Sequence, residues 1–513
     1  MSRNPCLLGI DLGTSSVKAA LVSLAGQIVA AGAAEYPIIR PQPGHAEQEP
    51  EAWWRAVCWA VREAVSVAGD AVRVLAIGLS GQMHGTVMLD ADGSLIAPAI
   101  IWPDQRSAAQ VAEITDTLGL ETLTAITGSP VATGFQASTL LWVRQERPDL
   151  WNRLHLALLP KDHVRRRMTG ITATDPSDGS GALLLDVNRR IWSPQMLSLI
   201  GLAEGQLPSL QSANADAGRL CAQAAACMGL PEGTPVVTGA ADTACSALGA
   251  GVVTSGKLLL TLSSGGQLVQ PIDNVRIDAQ GRVHTFCSAL APDDGPGWYQ
   301  MGAILSAGLA LRWLRDQVFA LSGDDAYDRI SGWAAQSALG ANGLLFLPYL
   351  AGERTPHMNP LARGLFFGLS AGHGRPELSR AVLEGVTFAC YDAYAVLAEL
   401  GADADIVILA GGGARSSLWR QIVADVFGLP VLPLAASEQS ALGAALLAGS
   451  GYGLLDLVET ASSWAVYGGA VEPDEYRHRQ YGELVQLFRE TYGNNFALFE
   501  KLHSVHSVQG VKA

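Results

Sequence analysis

Apolar residues in the first 35 positions fall in short runs broken by small and polar ones. Cys6–Leu12 and Val17–Val22 are rich in β-formers, Gly13-Thr14-Ser15-Ser16 separates them, and Ala25-Gly26 turns the chain into Gln27–Ala33. This pattern predicts a three-stranded meander with Gly13 at a hairpin tip. From Glu51 to Ala68 the period changes. Trp53, Val57, Val61 and Val65 recur at every fourth position, the stripe of an amphipathic helix, and Pro50 suits its first turn. Val74–Ser80 follows as a buried strand, ending in Gly81-Gln82-Met83-His84-Gly85. Thr86–Leu89 then extends again before the turn Ala91-Asp92-Gly93. Strands alternate with helices to about residue 247, which predicts a mixed α/β domain.

A second cycle begins near Gly251. Lys257–Leu262 is a strand, Ser263–Gly266 a tight turn, and Gln267–Gln270 extends again, echoing the N-terminal meander in pattern rather than in residue identity. Ile406–Ala410 is a short apolar strand running into Gly411-Gly412-Gly413, with a helix from about Ser416 to Phe427. Ser437–Gly449 is a helix of small residues suited to tight packing. A polar amphipathic helix follows Tyr476, and Ser504–Ala513 is expected to fray. With no low-complexity linker in between, the expected domains are 1–247 and 248–513, joined tightly with a cleft between them.

Composition narrows the partners. At 513 residues, 49% hydrophobic and 16% charged, the chain has the make-up of a soluble globular protein, and its 56 glycines follow no Gly-X-Y period. A net charge of −14 argues against a nucleic-acid partner, and the one basic run, Arg165-Arg166-Arg167, reads as a solvated helix face. Seven scattered cysteines form no CxxC pair and are expected to be reduced thiols of a cytoplasmic protein. Met1–Pro5 has no signal-peptide shape. No apolar run approaches the ~20 residues that span a bilayer, so no membrane partner is expected.

What chemistry the chain carries sits in glycine-rich turns with single carboxylates among them: Asp11 before Gly13, Asp242 in Gly239–Ala244, then Ser263–Gly266 and Gly411–Ser416. Small residues let backbone N–H groups approach phosphate oxygens, while a carboxylate can hold a metal or take a proton. Together these turns predict a nucleoside triphosphate site that moves a terminal phosphoryl group. The strand-to-helix fingerprints of the P-loop and dinucleotide folds are absent.

These residues resemble the FGGY family of carbohydrate kinases over about residues 7–490, and within it the branch that acts on xylulose. The segments that carry the resemblance are Gly9-Ile10-Asp11-Leu12-Gly13-Thr14-Ser15-Ser16-Val17-Lys18, Gly81-Gln82-Met83-His84-Gly85, Leu159-Pro160-Lys161-Asp162, Gly364–Leu369 with Arg380–Gly385, and Gly411–Ser416. The resemblance implies an α/β fold of two actin-like, ribonuclease-H-type domains with duplicated mixed-sheet cores and ATP in the cleft between them. It implies ATP- and Mg²⁺-dependent phosphorylation of a small-molecule pentulose, D-xylulose to its 5-phosphate, with domain closure around the sugar. The competing substrates are ribulose, fuculose, gluconate and glycerol, and the competing class is an ATPase switch on the same fold. Similar bacterial enzymes are often homodimers. Two positions depart from the family pattern: Thr139 stands where a lysine is usual, and Thr243 where an Asn usually follows the Asp.

On this reading Asp242 takes the proton of the attacking hydroxyl, although an Asp before Thr243–Leu248 is also a good helix N-cap. Asp11 holds Mg²⁺, with Asp242 as its neighbour at the metal, or else stabilises an Asx turn. Gly13, Thr14 and Ser15 offer amides and hydroxyls to the phosphates, as do Ser264, Gly265 and Gly266. Lys18 either neutralises phosphate charge or points to solvent. Gly411, Gly412, Gly413 and Ala414 suit adenosine or its α-phosphate, with Ser437 and Glu438 near the adenine. Gln82, Met83 and His84 hold the sugar beside Asp242 and Thr243, an amide and an imidazole for vicinal hydroxyls and a thioether as a soft wall. Trp102, Asp104 and Arg106 form a further sugar-side segment or a packed loop. Tyr349, Glu353 and Arg354 fit a structural loop as well as a site.

Overall fold

The structure, a computed structural model, describes residues 4–436 and 438–509. The chain forms two compact units built from interleaved segments. The first takes the residues up to Thr254, then 271–299 and 438–465; the second takes 255–270, 300–436 and the residues from Val466 on. Two stretches of the later half of the chain, 271–299 and 438–465, therefore pack with the first unit.

The first unit is built on a mixed sheet. Strands Asn4–Leu12, Ser16–Ser23 and Ile28–Glu35 form the antiparallel meander, with Asp11 opposite Lys18 and Gly13 in the turn. Val72–Gly81 lies parallel to the first strand and sets Ser80 beside Asp11. Pro235–Val237 and Ala240–Ala241 add to its other edge, so that Ala240 and Ala241 pair with Ser80 and Gly81. Side chains alternate along a strand. Leu8 and Ile10 face a core shared with Trp53, Val57 and Val61 of helix Pro50–Ala68. Gly9 and Gly78 face the other way, onto helix Gln439–Gly451. A Cβ on Gly9 would stand 1.8 Å from the Ala441 carbonyl oxygen, and one on Gly78 1.8 Å from that of Ala444. Only glycine lets the helix backbone lie that close, which explains why its sequence is so rich in Ala and Gly.

The second unit repeats the pattern. Gly256–Leu262 and Gly266–Ile272 form a hairpin, Ala404–Ala410 lies parallel to the first of these, and Val431–Pro433 lies parallel to Ala404–Ala410. This hairpin-plus-parallel-strand repeat is the duplication expected of the α/β class. Among the described residues one helix, Arg375–Glu399, is long and apolar enough to cross a membrane; here it is a buried core helix of the second unit.

Several details differ from expectation. Arg165 is not on a solvated face but fully buried, bonded to Asp162 and to the Thr238 carbonyl. The small-residue helix runs Gln439–Gly451, and Ser437 lies outside the described residues. The terminal helix continues to Gln509 through the stretch expected to fray, and 510–513 lie outside the described residues.

Candidate active site

Strand register brings the two predicted carboxylates together. Asp11 is the last residue but one of the first strand and Ser80 of its parallel neighbour, and the Ser80 hydroxyl donates to Asp11 Oδ1 at 2.9 Å. Ala241 pairs with Gly81 on the far side of the same strand, so Asp242 follows at the same sheet end and opens helix Asp242–Gly249. Asp242 Oδ1 accepts the Thr243 amide at 2.6 Å and the Thr243 hydroxyl at 3.2 Å. Burial, then the Asp11 charge, push Asp242 up to about 7 against the pull of those two donors. Burial also raises Asp11, against the Ser80 hydrogen bond and the Lys18 charge. A carboxyl poised near neutrality is a competent general base for an alcohol. Lys18 is paired and still reached by solvent: its side chain is 44% exposed and its Nζ lies 3.0 Å from Glu438 Oε2.

The turn after Asp11 is held from behind. Gly13 N–H donates to Ser16 O at 3.0 Å and Tyr36 N–H to Ser15 O at 3.0 Å. The Trp102 indole donates to Thr14 Oγ1 at 2.9 Å. Gln48, buried, donates to Thr14 O at 2.7 Å, and its Oε1 accepts Trp53 Nε1 at 3.1 Å and Gln82 Nε2 at 3.0 Å. One side-chain amide thus ties the Gly13–Ser16 turn to the Gln82–His84 segment.

That segment presents specific polar atoms. Gln82 Oε1 is buried and has no hydrogen-bond donor among the described residues, a state whose cost a ligand hydroxyl would remove. His84 occupies the left-handed region at φ 72, stacks on Phe135 at 3.8 Å and donates from Nδ1 to Gly181 O at 2.7 Å. That bond makes Nδ1 the donor, so that in the neutral imidazole Nε2 carries the lone pair. Met83 is buried beside them; a Cβ on Gly181 would stand 2.8 Å from its methyl carbon. Asp104 and Arg106 are engaged with the protein itself. Asp104 accepts the Ala46 amide at 2.6 Å, and Arg106 Nη2 reaches Asp104 at 2.8 Å and Glu47 at 2.7 Å.

The second unit carries a separate cavity of about 470 Å³. Ser263, Ser264, Gly412 and Gly413 line it, and the Ala307, Gly308 and Leu309 amides hold the serine turn from behind at 2.7 to 3.1 Å. Gly411 takes φ 82, and a Cβ there would stand 2.5 Å from the Leu262 carbonyl oxygen; nothing lies within 4 Å of a Cβ on Gly412, whose backbone is open. Ser416 caps helix Ser417–Phe427, accepting from Trp419 N at 3.3 Å. The volume is in the range that takes a nucleoside. Glu438, expected near adenine, is not in its lining and pairs with Lys18 in the first unit. Sequence reading missed Tyr327, Asp328 and Ser331, which line the cavity from helix Ala326–Ala334, and it missed Gln48. Neither has a local signal, because both act through folding contacts distant in the chain.

For a divalent cation, Asp11 and Asp242 are a fitting donor set: two carboxylates close enough for one charge to raise the other, beside the Gly13–Ser16 turn. Mg²⁺ takes one or two carboxylates and completes its shell with phosphate and water. No group of three or more His, Cys, Asp or Glu able to hold a metal by themselves occurs among the described residues.

The duplicated sheets are those of a two-domain carbohydrate kinase fold. The chain belongs to the FGGY family of carbohydrate kinases, whose N-terminal domain matches residues 6–249 and whose C-terminal domain matches 266–452. It is 36% identical to the xylulose kinase of Bacillus subtilis over 488 residues, 95% of this chain and 96% of that protein. It is 39% identical to the xylulose kinase of Escherichia coli over 421 residues, 82% of this chain and 84% of that protein. The crystal structure of xylulose kinase from Rhodospirillum rubrum superposes with a TM-score of 0.90 at 30% identity, covering 96% of this chain and 100% of that one.

Proposed function

We propose that the chain transfers the γ-phosphoryl group of ATP to the terminal hydroxyl of D-xylulose, giving D-xylulose 5-phosphate. The observation that carries the mechanism is Asp242, half-buried beside Asp11 with its carboxyl raised to about 7, so that near neutral pH it is ionised in a large share of molecules and receives the hydroxyl proton as the oxygen attacks. The xylulose kinase relatives support the choice of sugar. The unsatisfied Gln82 Oε1 and the His84 ring, held by its Nδ1 bond and by Phe135, support a polyol at the first unit, with Met83 as the apolar wall. Gly13, Thr14 and Ser15 receive the terminal phosphates there, while Ser264, Gly265 and Gly266 with Gly411–Ala414 hold the donor in the second unit. Mg²⁺, held by Asp11 with Asp242, would offset charge on the phosphate oxygens. Asp104 and Arg106, engaged with the Ala46 amide and Glu47, would support the sugar side of the site through the segment that carries Gln48.

A second acceptor is favoured by one feature. Thr243 spends its hydroxyl on Asp242, where the family's usual Asn would offer an amide. ADP release with Mg·ATP against D-xylulose, D- and L-ribulose, L-fuculose, gluconate and glycerol decides between them. Turnover with D-xylulose above the others is expected; preference for another polyol would move the substrate and keep the mechanism. No stimulation by any polyol would overturn the reading.

A further inference from the structure

Five ionisable side chains stand fully buried together in the first unit: Lys161, Asp162, Arg165, Asp175 and Asp178. Lys161 Nζ lies 2.7 Å from Asp162 Oδ1, 3.3 Å from Asp175 Oδ1 and 3.6 Å from Asp178 Oδ2. Arg165 Nη1 reaches Asp162 Oδ1 at 2.9 Å. Desolvation takes back most of what such a cluster gains in Coulomb energy, so net stability is a poor reason for it; fixed geometry is a better one.

The cluster grips the backbone that carries Asp242 at two points. Arg165 Nη1 donates to the Thr238 carbonyl at 2.7 Å. On the other side Ser177 donates its hydroxyl proton to Asp175 Oδ2, and its Oγ accepts the Ala241 amide at 3.0 Å. Asp175 also caps helix Pro176–Gly181 through the Ser177 amide at 2.9 Å, so Ser177 cannot drift. Ala241 immediately precedes Asp242, and every atom in this relay is held away from water.

We propose that Ser177, seated on Asp175 and through it on Lys161, is a positioning residue for Asp242: it fixes the peptide from which the base projects and touches neither substrate. The inference rests on the reading of Asp242 as the base. Its loss frees the Ala241 amide and lets the carboxylate leave the line of attack, which affects the chemical step more than either binding step.

The test is steady-state kinetics with Mg·ATP and D-xylulose on Ser177→Ala, Asp242→Asn and the double variant, with far-UV circular dichroism to establish folding. Ser177→Ala is expected to lower kcat about ten- to a hundredfold, with both KM values within about threefold. In the Asp242→Asn background the same substitution is expected to change the residual rate by less than about twofold, because there is no base left to misplace. Should the alanine variant not fold, Ser177→Cys, close in shape and a weak acceptor, carries the same comparison. An unchanged kcat, or equal losses in both backgrounds, would overturn the positioning role while leaving the base intact. Full activity of Asp242→Asn would instead remove the base and this inference with it.

Discussion

At the scale of single residues, the proposed chemistry depends on where one proton sits. The ordinary carboxyl value for Asp242 is 3.8, and in the folded protein it is about 7. A base of that kind gives kcat/KM an acid limb: the rate rises with pH through about 7 and levels above it. Asp242→Asn is expected to remove the limb and to lower kcat by about 10²- to 10⁴-fold, the usual worth of a positioned general base. The same shift bears on stability with a definite sign. Because the folded state holds this proton more tightly than the unfolded chain does, stability falls as pH rises from about 4 to about 7 and is flat above. Asn cannot ionise, so the variant's Tm should exceed the wild type's by a few degrees at pH 8 in the absence of Mg²⁺, and the gap should close toward pH 4. A gap independent of pH in the melting curves would place the raised carboxyl elsewhere. At the proposed sugar segment, His84→Ala loses the Phe135 stack and the Nδ1 bond to Gly181. About a 5- to 150-fold fall in kcat/KM for the sugar, with the ATP KM held, is expected from steady-state kinetics. The places of Asp11, Asp242 and His84 at or just past strand ends were legible in the sequence because each lies within three residues of a glycine that interrupts an apolar run. Arg165 was not: a basic triplet looks solvated until Asp162 and the Thr238 carbonyl are seen around it.

At the scale of elements, the hairpin tip was the easiest part to foresee, since turn chemistry is local: Gly13-Thr14-Ser15-Ser16 between two β-rich runs leaves little choice. Tight packing of a small-residue helix was expected as well, but its destination was not. Nothing near Gly9 or Gly78 announces that helix Gln439–Gly451 lies on them. Gly9→Ala is expected to destabilise the protein by about 1–3 kcal/mol or to prevent folding, because a methyl group cannot coexist with the Ala441 carbonyl. Gly205, with nothing within 4 Å, is the control, and its alanine variant should melt like the wild type. Gln48 likewise became visible only through folding contacts. Gln48→Leu fills the same space but drops both arms, on Thr14 and on Gln82, so KM should rise for the sugar and for ATP together. A rise for one substrate alone would show that the two segments are held independently.

At the scale of the whole molecule, the two-unit α/β plan follows from the alternation of strands and helices, whereas the interleaving of segments does not, because hydrophobic periodicity says what an element is and not which core it joins. The first unit lacks two of its three segments in any chain that stops at Thr254. Such a fragment, missing the helix that covers Gly9 and Gly78, is expected to show no cooperative melt by circular dichroism, in contrast to the full chain. A sharp transition would mean that the later segments are accessory. For the living cell the arrangement has a consequence in time. A ribosome adding ~5–20 residues per second finishes the strands of the first sheet roughly 10–40 s before it delivers the helix that seals them. Through that interval a half-dressed apolar face is on offer to every other nascent chain nearby, and the yield of active enzyme depends on holdase chaperones and on translation speed over the middle of the message as much as on the stability of the finished fold.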